Sequence, residues 1–141
     1  PGKRVDPRFD TGRRVHSARV LPERPDRAYL ACGDAGLAVL DIADAAHPHP
    51  LVQWSHSPPY HGGTHAVAPL LAKGYALVAD QPVADAASDW PKRVWMVDLR
   101  AGTKAMPVGM LPAPPLEAFR PRPGRLGNLV ETRALAAALA P

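Results

Sequence analysis

The feature that most constrains this chain is an internal repeat, in which four short apolar runs in fixed order occur twice. The first set is His16-Ser-Ala-Arg-Val-Leu, Ala28-Tyr-Leu-Ala-Cys, Leu37-Ala-Val-Leu-Asp-Ile and Pro50-Leu-Val-Gln-Trp. The second is His65-Ala-Val-Ala-Pro-Leu, Tyr75-Ala-Leu-Val-Ala-Asp, Val94-Trp-Met-Val-Asp-Leu and Pro107-Val-Gly-Met-Leu. The intervals are 49 residues from His16 to His65, 47 from Leu30 to Leu77 and 57 from Asp41 to Asp98. The last is longer because Gln81 to Lys92 forms an extended connection. A repeat of this length marks a supersecondary unit that buries its apolar faces against its neighbours.

The runs are too short for helices and are bounded by Gly and Pro, so they read as strands. Gly33-Asp34-Ala35-Gly36 is a tight connection with Gly available for positive φ, and Lys73-Gly74 marks another. The 18 Pro and 11 Gly punctuate apolar runs and form no low-complexity tract. Val94-Trp95-Met96-Val97 is apolar throughout, as in a strand covered on both faces. The expectation is an all-β chain of about two four-stranded antiparallel blades, a fragment of a β-propeller. The blades fall at 15–60 and 64–115 within a repeat region at 15–119. Residues 1–14 read as a poorly structured basic segment, and 120–141 as the start of a next blade or an irregular, helical tail.

Charge follows the same division. Residues 1–27 carry eight basic and four acidic side chains, 28–119 five and eight, and 120–141 four and one. The net +4 thus resides in the ends. Nucleic-acid binding calls for a basic stripe with interleaved aromatics; the Arg residues of the first segment are scattered among Pro and Asp with Phe9 the only aromatic, so no nucleic-acid partner is expected. No apolar stretch is long enough for a membrane span. The start at Pro1 leaves an upstream targeting segment open. The single Cys32 excludes an internal disulfide and a Cys-based zinc cluster, and its apolar run makes it a small buried hydrophobe.

Asp41 and Asp98 close the third run of each unit, where a carboxylate is expected to cap the following turn by accepting backbone N–H bonds. Trp54 and Trp95 are expected between neighbouring blades, whereas Trp90 sits in the polar loop Ser88-Asp89-Trp90-Pro91. His47 and His49, between prolines, are expected to face solvent.

Gly36-Leu-Ala-Val-Leu-Asp-Ile-Ala-Asp, followed by Pro48 and Pro50, resembles the repeat of the LVIVD family, bacterial and archaeal proteins predicted to form β-propellers. Gly62-Gly63-Thr64-His65, Leu77-Val78-Ala79-Asp80 and Pro91-Lys92-Arg93-Val94-Trp95-Met96-Val97-Asp98 are similar to a subset in which GGTH, DE and KRVWVVD segments follow in that order. The similarity spans roughly residues 15–130. In that subset a GGRFGPHNLHE-like segment comes next. Pro123-Gly-Arg-Leu-Gly-Asn128-Leu-Val-Glu131 stands there instead, without either expected His. The resemblance to selenium-binding and methanethiol-oxidase propellers, which use channel histidines, brings in a transition metal.

The chemistry-bearing candidates are accordingly His56, His61 and His65, with His16 at the repeat-equivalent place of His65. Imidazole is the commonest metal ligand, and His61 and His65 are the metal candidates. The Gly pair between them disfavours the helix that an H-E-x-x-H site needs. The competing reading makes His56 and His61 turn histidines and His65 a strand-start histidine. No G-x-S-x-G elbow, P-loop or dinucleotide fingerprint is present. Asp80, Asp85 and Asp89 offer carboxylates for a calcium ion but lack EF-hand spacing, and a solvated loop is the favoured reading. The leading expectation is a non-enzymatic repeat scaffold for a protein or small-molecule ligand, packed against other blades of its own propeller. The alternative is a metal-dependent, oxidase-like enzyme. Two blades alone would leave strand edges and apolar faces exposed, so self-association or partial order is expected.

Overall fold

The computed structural model describes residues 14–60, 62–83 and 92–112. Expectations for the two terminal segments, for His61 and for Asp85, Asp89 and Trp90 lie outside the described residues. Within them the chain is all-β. Strands β1 (Ser17–Leu21), β2 (Arg24–Ala31), β3 (Leu37–Asp41) and β4 (His49–Trp54) form one antiparallel sheet in sequence order. Strands β5 (Thr64–Leu70), β6 (Tyr75–Asp80), β7 (Arg93–Asp98) and β8 (Met106–Pro112) form a second in the same order. The only helical elements among the described residues are two 3-10 turns, Leu71–Lys73 and Gly102–Lys104. No helix there is long and apolar enough to cross a membrane.

The turns follow the residues that make them. The β2–β3 connection closes through Ala35 N–H to Cys32 O and Gly36 N–H to Gly33 O. Gly36 has φ +73°, and a Cβ there would lie 2.2 Å from the Trp54 carbonyl oxygen. Only glycine satisfies both conditions. Asp41 Oδ1 accepts the Ala43 N–H, and Asp98 Oδ1 accepts the Arg100 N–H, each at 2.9 Å. These aspartates are the turn caps that their position implies.

The two sheets repeat in register as well as in order. In the first, Val39 pairs with Val52 and Leu40 with Pro50, leaving Leu51 as the extra residue of a bulge. In the second, Met96 pairs with Gly109 and Val97 with Pro107, leaving Val108 in that role. Counting back from Asp41 and Asp98, these bulges occupy the same place. The same count corrects the spacing of the second runs. Arg27 pairs with Asp41 and Tyr75 with Asp98, so the counterpart of Leu77 is Tyr29 rather than Leu30. A one-residue slip exchanges the two faces of a strand, so the correction decides which side chains face which sheet.

Directly paired residues of an antiparallel ladder share a face. The face of the first sheet carrying Tyr29, Ala31, Leu37, Val39 and Val52 is buried against the second sheet. The face of the second sheet that meets it carries Val67, Ala76, Val78, Trp95 and Val97. Under the Asp41–Asp98 equivalence these are opposite faces of the repeat unit. The structural counterparts of Val39 and Leu37 are Met96 and Val94, which point away from the shared core. The sheets therefore stack head to tail, front of one on back of the next. A two-fold sandwich would bury the same face of each.

Candidate functional site

One end of the stack collects the polar and aromatic residues. It is formed by the starts of β1 and β5, the ends of β4 and β6 and the start of β7. Backbone ties the two sheets together there: Gly33 and Thr64 exchange two N–H···O bonds of 3.1 Å, and the Ser17 hydroxyl donates to the His65 carbonyl at 2.9 Å.

Asp80, 5 % exposed, is the centre of this end. Its Oδ1 accepts from the Thr64 hydroxyl at 3.2 Å and its Oδ2 from the Trp95 indole N–H at 3.1 Å. Thr64 is placed by its pairing with Asp80 across β5 and β6. His56 Nε2 lies 3.1 Å from Asp80 Oδ2 but off hydrogen-bonding alignment, and both His56 ring nitrogens are buried without a hydrogen-bond partner. His56 instead packs tilted against two indoles, its ring centre 5.5 Å from that of Trp54 and 5.2 Å from that of Trp95. Trp54 and Trp95 meet edge to face at 5.6 Å, joining the two sheets. Aromatic pairs in this geometry add about 0.5–1.5 kcal/mol beyond their area.

Around this centre Lys92 is buried and donates to the Gly62 carbonyl at 3.0 Å. The Arg93 guanidinium lies 4.2 Å over the ring of Tyr60, which packs on Trp95 and is partly exposed. Gly62 fits against Asp34, since a Cβ there would lie 1.8 Å from Asp34 Oδ1. The buried charges are thus fixed by local donors and acceptors. Asp80 serves as a packing hub, with its acceptor oxygens committed to Thr64 and Trp95.

His65 occupies the extra position of a bulge, between Thr64, paired with Asp80, and Ala66, paired with Ala79. The register places His16 at the equivalent point of the first sheet, as the repeat implied. Their ring centres lie 5.6 Å apart. Nδ1 of His65 is buried without a hydrogen-bond partner. Burial, and then the charge of His16, push the His65 pKa below its ordinary value, which favours the neutral, ligating form at pH 7.

The sequence candidates therefore divide. His16 and His65 come together. His56 does stand at the start of the β4–β5 turn, where its carbonyl accepts the Tyr60 N–H, but its ring is buried beside Asp80 against both tryptophans. Asp80 does not belong to a solvated acidic loop, because it ends β6 inside the core. His47 and His49 are exposed, with His47 Nδ1 2.9 Å from Asp44 Oδ2. Cys32 is buried, and its burial raises the thiol pKa. Lys92 and Thr64 entered the sequence reading only within the motifs of the resemblance and were given no role there. The signal for Thr64 was its place beside the Gly pair opposite an Asp that ends an apolar run. No group of three or more His, Cys, Asp or Glu residues arranged to hold a metal occurs among the described residues.

No protein-family model, curated protein or solved structure matches the chain. What fold and site define by themselves is an all-β protein of two stacked, repeated four-stranded sheets with an aromatic and histidine-bearing end.

Proposed function

We propose that the chain forms two consecutive blades of a β-propeller of the LVIVD-repeat kind and works as a non-enzymatic scaffold for a protein or small-molecule ligand. The observation that carries this reading is the head-to-tail stacking. Blades around an axis must each turn a front face to one neighbour and a back face to the other, and the two sheets here bury opposite faces at equivalent positions. The strand-start end is the proposed binding end. It presents Tyr60 and Arg93 above a core of Trp54, His56 and Trp95, the aromatic and Arg composition that ligand surfaces favour.

One observation favours a second reading, a metal-dependent enzyme of the oxidase kind: the partnerless Nδ1 of His65 beside His16. Two imidazoles are a partial set, since a transition metal takes at least three protein ligands in most sites. His61 is the further ligand proposed for it. Elemental analysis of the purified chain, with His65→Ala as control, separates the readings. Metal below one-tenth of stoichiometric in both proteins supports the scaffold. One metal per chain, lost in the variant, supports the enzyme and overturns the scaffold reading.

A further inference from the structure

The stacking leaves two complementary faces without a described partner. The front of the second sheet carries Leu77, Ala79, Val94, Met96 and Leu111, aligned by the pairs Leu77–Met96 and Val94–Leu111. These are the counterparts of Tyr29, Ala31, Leu37, Val39 and Trp54, five residues of the first sheet that pack at the existing interface. The back of the first sheet carries Ala28, Leu30, Ala38 and Leu40. Their counterparts are Ala76, Val78, Trp95 and Val97, which form the other side of that interface. Val94 and Met96 are half-buried and Leu111 is 51 % exposed beside the already buried Leu77 and Ala79, while Leu30, Ala38 and Leu40 are half-buried beside the buried Ala28. One face is the repeat of a surface that docks; the other is the repeat of the surface it docks on.

We infer that this chain binds a second copy of itself head to tail, the front of the second sheet of one copy packing on the back of the first sheet of the next. The inference rests on the blade reading and deepens it by naming the partner and the surfaces. The interface is heterologous: the two faces are different, and each copy keeps one of them free after the first contact. Addition then continues until the rotation per copy closes a ring, or without limit where it does not close. The occupant follows from continuity with the interface inside the chain, whose geometry the second copy reproduces. The half-buried aliphatic residues on both faces supply apolar area for it.

The test uses two variants, each disabling one face. Leu111→Lys places a charge on the front of the second sheet, at an exposed position of β8. Leu40→Lys places one on the back of the first sheet. Near-UV circular dichroism of the Trp54–Trp95 pair reports whether each remains folded, and Met96→Gln and Ala38→Gln replace any variant that loses it. Sedimentation velocity over a hundredfold range of chain concentration is then read. The expected result is species beyond the dimer for the unaltered chain, monomers for each variant alone and a 1:1 dimer, with nothing larger, when the two are mixed. An unaltered chain that stays monomeric overturns the inference, as does a mixture that gives no dimer. A variant that still dimerises alone does the same, because that would be a symmetric contact. Loss of the inference and loss of the blade reading are separable. A monomeric mixture with the tryptophan signal intact removes only the second copy. Absence of that signal in the unaltered chain removes the stacked blades themselves.

Discussion

Val39 and Met96 hold the same position in their sheets, two residues before the capping aspartate, yet Val39 is buried at the shared interface and Met96 points away from it. Stability should therefore respond unequally to equivalent substitutions. Leu37→Ala removes a fully buried side chain of the interface and should cost about 2–5 kcal/mol. Val94→Ala, at the counterpart position of the second sheet, should cost under about 1.5 kcal/mol. Urea denaturation of dilute protein measures both, and equal losses would contradict head-to-tail stacking.

The strand order, the two-sheet division and the aspartate caps were legible because they rest on local chemistry. An apolar run, a Gly-containing turn and an Asp two residues before a free N–H each announce themselves. The face assignment was not legible. Tyr75-Ala-Leu-Val-Ala is apolar at every position, so no alternation fixes its phase, and matching Leu30 with Leu77 by residue type put the register off by one. The roles of Asp80 and His56 were hidden for a different reason. Asp80 ends its run as Asp41 and Asp98 end theirs, and only the pairing of Thr64 and the indole of Trp95, 15 residues away, distinguishes a buried hub from a cap.

The hub itself can be probed by removing one donor at a time. Trp95→Phe retains most of the ring but takes away the N–H that meets Asp80 Oδ2, and Thr64→Val takes away the hydroxyl that meets Oδ1. Each leaves a buried carboxylate oxygen with one donor fewer and should cost about 1–3 kcal/mol. Because both act on one carboxylate, the double variant should depart from additivity by about 0.5 kcal/mol or more. A double-mutant cycle by chemical denaturation gives that coupling, and strict additivity would mean that the two donors do not share Asp80.

Glycine positions make a sharper contrast than their shared conformation suggests. Gly36 and Gly102 both have positive φ, but a Cβ at Gly36 meets the Trp54 carbonyl at 2.2 Å whereas one at Gly102 meets nothing within 4 Å. Gly102→Ala should cost only the left-handed backbone penalty of about 1–2 kcal/mol. Gly36→Ala must also displace the end of β4 next to the Trp54–Trp95 contact, and should lower the melting temperature several degrees further. Thermal melts of the two variants decide it, and a Gly36→Ala protein as stable as Gly102→Ala would show that the turn is not packed as described.

The histidine pair gives a pH dependence whose sign is fixed by its geometry. The folded His65 has a pKa below its unfolded value, through burial first and the neighbouring His16 second. The folded state therefore binds fewer protons than the unfolded state between those two values, and stability rises with pH across that interval. The stabilisation is complete above the unfolded value of about 6.5 and is lost as pH falls through it towards the folded value. Denaturation midpoints measured from pH 8 to pH 5 should fall on acidification, and His65→Gln should flatten that fall. His16→Gln should flatten it partly, since it removes the like charge but leaves the burial. If His16→Gln leaves the slope unchanged, the two rings do not sense one another, and the shared site at the strand starts loses its electrostatic support.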